Sequence, residues 1–144
     1  MRWLYLTYVI YWSSVALSAA LALAGHPLVD PRALEKAYNE TAALPYEQRL
    51  LQSAAYVAAV ALMSYPALIY AATAFGVVTA AMAGAFGLGP ALVNSAVMQL
   101  VLLFLEEVAR WHPAAQYLAG RRVDWRRYLL WVAAALSLAG VLSL

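Results

Sequence analysis

The sequence predicts an all-α, polytopic transmembrane helix bundle. Three observations predict it: an apolar composition, segregated charges, and turn chemistry that divides the apolar runs. Of 144 residues, 66% are hydrophobic and 11% charged, against about 45–50% and about 25% in soluble domains. Such a chain cannot cover its surface with polar side chains, so water is not its main solvent. The charges are also sorted along the chain. Met1 to Val29 holds only Arg2, Leu50 to Leu105 and Tyr128 to Leu144 hold none, and the rest lie in Asp30–Arg49 and Glu106–Arg127. A helix needs about 20 apolar residues to cross a hydrocarbon core of about 30 Å, with its backbone bonded within the segment. The charge-free runs are therefore read as spans of one transmembrane domain, residues 1–144.

The first span is expected at about residues 3–25. Trp3, Tyr5, Tyr8, Tyr11 and Trp12 crowd its first half, which reads as an aromatic belt at the interface. Ala22-Leu23-Ala24 has the form of a signal-peptidase site, but the apolar stretch is long and aromatic and only Arg2 precedes it, so a retained span is expected. Residues 26–49 form a polar connection opened by Pro27 and Pro31, with a helix-compatible stretch from Pro31 to Tyr38 and a new helix start after Pro45.

Leu50 to Leu105 is long enough for two spans or three short ones. Gly87-Leu88-Gly89-Pro90 is its strongest turn signal, because glycine permits positive φ and proline restricts the residue before it. Pro66 stands alone, and a lone proline in a membrane helix usually kinks it. The expectation is one long, Pro-kinked second helix, span 50–86, then a third span at 90–111. A second connection, 112–127, leads to a last span at 128–144, with Trp125, Tyr128 and Trp131 at its inner end.

Charge bias sets the expected topology. With four spans, both charged connections share a side and gather Arg32, Lys36, Arg49, Arg110, Arg121, Arg122, Arg126 and Arg127 against Arg2 alone. With five, the alternative, the bias is six against three. The positive-inside rule favours four spans in the cell membrane, both termini outside and the connections 26–49 and 112–127 cytoplasmic. The same rule accounts for the arginines at 121–127 without nucleic acid as a partner.

Candidate sites are few. The chain has no cysteine, which removes disulfides and thiolate chemistry. It has no Gly-rich phosphate loop, zinc-protease helix or Ser/His/Asp set, so an enzyme is not expected. Ser95, Gln99, Glu106 and Arg110 fall within about 60° on the third helix, a polar stripe of the kind that faces a bundle interior or a water-filled path. Ala72, Gly76, Ala80 and Gly84 recur every four residues on the second helix, and Ala16, Ala20 and Ala24 on the first. Small residues so spaced let helix backbones approach closely. His26 and His112 each precede a proline at a span end, and two imidazoles there are the one candidate for haem or another metal.

Glu106-Glu107-Val108-Ala109-Arg110 resembles the paired-glutamate motif of CAAX-protease-like intramembrane peptidases. It departs from that motif by one residue of spacing and by the absence of histidines in later helices, and without those groups the family's water activation has no support. The expected function is an accessory or structural subunit of a larger membrane complex, partnered by lipid and by other subunits or itself. The alternatives are a small homo-oligomeric transporter or channel using the polar stripe, and a haem-binding electron-transfer subunit.

Overall fold

A computed structural model describes residues 2–144, with side chains from Leu6 onward. The Arg2 charge and the belt positions Trp3 and Tyr5 lie outside the described side chains. Seven helices follow one another: α1 (Arg2–Leu23), α2 (Pro31–Ala42), α3 (Tyr46–Met63), α4 (Tyr65–Phe86), α5 (Leu88–Trp111), α6 (Pro113–Leu118) and α7 (Trp125–Leu142). There is no strand among the described residues. Three helices are long and apolar enough to cross a membrane: α1 through Leu6–Leu23, α4, and α5.

One expectation is corrected here. The stretch from Glu47 to Phe86 is two helices, not one kinked at Pro66. The break falls at Ser64, whose φ of 57° and ψ of −129° leave the helical region for one that residues with a Cβ rarely enter. Pro66 then sits in the first turn of α4, where a missing N–H costs no helical hydrogen bond. It marks a helix start. The turn between α4 and α5 does fall at Gly87, with φ +88°. Gly89 and Pro90 belong to the first turn of α5, so that helix starts two residues earlier than expected. Asp30 and Asp124 cap α2 and α7, accepting from the backbone N–H of Arg32 and Arg127 at 3.0 Å each.

The chain divides into two compact units. The first comprises Met1–Leu44 with Ala71–Leu100, the second Pro45–Tyr70 with Val101–Leu144, so α4 and α5 each contribute to both. In the first unit α1 crosses α4 at Gly76. A Cβ there would lie 2.5 Å from the Tyr11 carbonyl oxygen and 2.7 Å from Ser14 Cβ, so only glycine fits this backbone approach. Further on, Pro31 packs at Gly84 and the Tyr38 ring meets Phe86 at 5.4 Å. Gly76 to Gly84 is about 12 Å of helix, and Val15 to Leu23 is the same length. Run in the opposite sense, α1 would end roughly 24 Å from Gly84, which demands a nearly extended chain to Pro31. The connection instead folds back at Gly25, with the His26 N–H bonded to the Leu21 carbonyl at 2.8 Å. Helices α1 and α4 therefore point the same way and end at the same end.

In the second unit α3 and α7 pair antiparallel. Tyr128 Oη donates to the Ala61 carbonyl at 2.7 Å near one end of the pair, and Tyr46 Oη donates to Gly140 at 3.3 Å near the other.

Candidate functional site

Buried polar groups in an apolar bundle must bond to one another, because the surrounding side chains offer no partner. In the first unit five side chains from α1, α4 and α5 do so. Tyr11 is fully buried, and Thr79 and Ser95 are nearly so. Tyr11 Oη donates to Ser95 Oγ at 2.9 Å and lies 2.9 Å from Thr79 Oγ1. A phenol has one proton, so Thr79 is the donor in that second bond. Asn94 Nδ2 donates to Thr79 Oγ1 and Gln99 Nε2 to Ser95 Oγ, each at 3.0 Å. Donation thus runs from Asn94 through Thr79 and Tyr11 to Ser95, which Gln99 reaches from the other side.

The network ends on two amides, neither of which titrates in the physiological range. This chemistry joins three helices and gives a moving proton no carboxylate or imidazole at either end. Interhelical bonds of this type contribute about 0.6–2 kcal/mol each in membranes.

The expected polar stripe is divided. Ser95 and Gln99 belong to this network, whereas Glu106 and Arg110 lie in the second unit. Glu106 is buried. Arg110 donates to Glu107 Oε1 at 2.8 Å, and Trp111 Nε1 donates to Glu107 Oε2 at 3.1 Å, so Glu107 ties down the last turn of α5. Of the small-residue face, Ala72 and Gly76 are buried, Ala80 is half-buried, and Gly84 stands against Pro31. That stripe is used inside the chain. Ala16 and Ala20 of α1, and Ala24 in the turn after it, are all exposed.

The two histidines fall in different units. His26 is exposed in the connection between α1 and α2. His112 caps α6, its Nδ1 accepting from the Ala114 N–H at 3.2 Å, and its ring lies edge-on to Tyr128 at 5.7 Å. Among the described residues no three His, Cys, Asp or Glu side chains gather as a metal site would require.

The second unit uses its polar side chains differently, spending them on carbonyls in the last turns of helices. Ser64 Oγ donates to Ala109, and Gln116 Nε2 to Trp111, at 3.2 and 2.5 Å. Tyr128 and Tyr46 serve Ala61 and Gly140 in the same way. Ala109 and Gly140 already accept from the backbone N–H of His112 and Ser143, both at 3.3 Å, so their side-chain donors add a second bond. Gln116, itself buried, also accepts from the Asp124 N–H at 2.8 Å, so one side chain joins the end of α5 to the start of α7.

Tyr11, Thr79 and Asn94 were missed by sequence reading. Depth was the available signal for Tyr11: nine residues into α1 is about 13 Å, too deep for a headgroup belt. The interfacial assignment of Tyr11 is corrected accordingly. No protein-family model, curated protein or solved structure matches the chain.

Proposed function

We propose that the chain is a five-span packing subunit of a larger membrane assembly. The observation that carries this reading is the contrast between its two small-residue stripes. The stripe on α4 is buried at Ala72 and Gly76, where α1 crosses, and its far end meets Pro31 at Gly84. The stripe of Ala16 and Ala20 on α1, continued by Ala24 in the turn that follows, is exposed on a helix with little of its surface covered. A lipid-facing surface gains nothing from stripped side chains, whereas a second helix gains close contact.

The parallel run of α1 and α4 supports five crossings over the four expected from charge bias. Two spans pointing the same way need a return between them, and α3, with 18 residues and about 27 Å, is long enough to supply it. Its antiparallel partner α7 then makes the fifth. On this reading Arg2, Arg110, Arg121, Arg122, Arg126 and Arg127 share the inner side, with Arg32, Lys36 and Arg49 outside. The start of the chain is cytoplasmic, and α2, the Gly87 turn and the end of α7 are external.

A cysteine-free chain permits a direct test. With Ala20→Cys in native membranes, cross-linking should give one adduct with a different chain that also co-purifies in fixed stoichiometry. A chain that purifies alone and cross-links to nothing overturns the proposal. An adduct only with itself favours the homo-oligomeric transporter instead. In that case Gln99→Leu should abolish flux through reconstituted vesicles, whereas a packing network predicts reduced stability only.

A further inference from the structure

We infer that α2 is a membrane-surface helix, lying in the plane of the interface with its apolar side against lipid. Its sequence is sorted with little overlap. At 100° per residue, Glu35, Asn39, Arg32, Lys36 and Glu40 occupy one arc of about 140°, and Ala33, Ala37, Thr41, Leu34 and Tyr38 occupy the opposite arc. Such sorting normally means one face is covered, yet α2 has no buried residue and Tyr38 is 55% exposed. Within the protein that face meets the end of α4.

Those contacts identify what covers the rest. Pro31 at Gly84 and Tyr38 against Phe86 hold α2 at the C-terminal end of a helix long and apolar enough to span the bilayer. The end of a span is the level of the headgroups, where an amphipathic helix buries its apolar side among the upper acyl chains. Tyrosine suits that depth, with a ring for the acyl region and a hydroxyl for water. Arg32 and Lys36 are balanced by Glu35 and Glu40, and Lys36 pairs with Glu40 at 3.8 Å. Recognition is therefore apolar, and tethering by α1 replaces the charge attraction a free helix needs.

This inference rests on the membrane-spanning reading of α4 and α5. The test uses the full chain in phosphatidylcholine vesicles, spin-labelled at single cysteines. Labels at Ala33→Cys, Ala37→Cys and Thr41→Cys should collide with oxygen more than with a water-soluble nickel chelate. Labels at Arg32→Cys, Lys36→Cys and Asn39→Cys should do the reverse. A label at Val93→Cys, exposed on α5, should be reached by oxygen and not by nickel. Nickel access at all six α2 positions with that pattern intact at Val93 overturns the inference. So does shielding of residues 33, 37 and 41 from both reagents, which means a protein covers the face. Nickel access at Val93 overturns the membrane reading itself, and the inference with it.

Discussion

The Tyr11 unit and the Ser64 unit solve the same problem by different means. Around Tyr11, hydroxyl and amide side chains bond to one another in mid-helix, between backbones brought together at Gly76. Around Ser64, side chains reach helix ends and satisfy carbonyls there. The first arrangement depends on mutual partners, so removing one member orphans another. In the second each bond is nearly independent of its neighbours. Coupling between mutations should therefore be strong in one unit and weak in the other.

The largest effect is expected at the crossing. Gly76→Leu forces α1 away from α4 and should cost about 3 kcal/mol, the upper range for overpacking a tight site, read as a lowered thermal midpoint in detergent. Gly76→Ala should lie between it and the parent chain. Retention of the parent midpoint by Gly76→Leu would break the account of this unit.

Within the network, Tyr11→Phe leaves Thr79 and Ser95 without their shared partner and should cost about 2 kcal/mol. Adding Thr79→Val should cost much less than it does alone, a coupling of about 1 kcal/mol. Strict additivity would mean that the hydroxyls do not act together.

The smallest effect separates strain from bonding at Ser64. Ser64→Ala keeps the unfavourable φ and loses the bond to Ala109, at a cost of about 1 kcal/mol. Ser64→Gly loses the same bond and relieves the backbone by about 1 kcal/mol, so it should match the parent chain. Equal losses in both variants would show that φ is unstrained.

These two sites also show how far sequence reading reached. Helices long and apolar enough to cross a membrane were legible from the charge-free runs, and the Gly87 turn followed from glycine's freedom at positive φ. The close approach at Gly76 followed from four-residue spacing. Ser64 was illegible because serine carries no preference for the conformation it adopts, and the following Pro66 reads equally as a kink or a helix start. Of the four residues read as a stripe on α5, Ser95 and Gln99 bond to each other. The stripe gave no sign that their partners would be Tyr11 and Thr79, because pairing between helices depends on register that no single helix encodes. The amphipathic sorting of α2 was available in the sequence and needed only the full length of the helix to become visible.

Topology is the most consequential point on which charge counting and the proposed function differ: the count favours four crossings, and the proposal takes five from the parallel run of α1 and α4. Single cysteines at Ala37, Gly89 and Gly120, labelled in sealed, oriented vesicles with a membrane-impermeant maleimide, test it directly. Ala37 and Gly89 should label from one side and Gly120 only from the other; labelling of Ala37 together with Gly120, and of Gly89 from the opposite side, would contradict the five-span account.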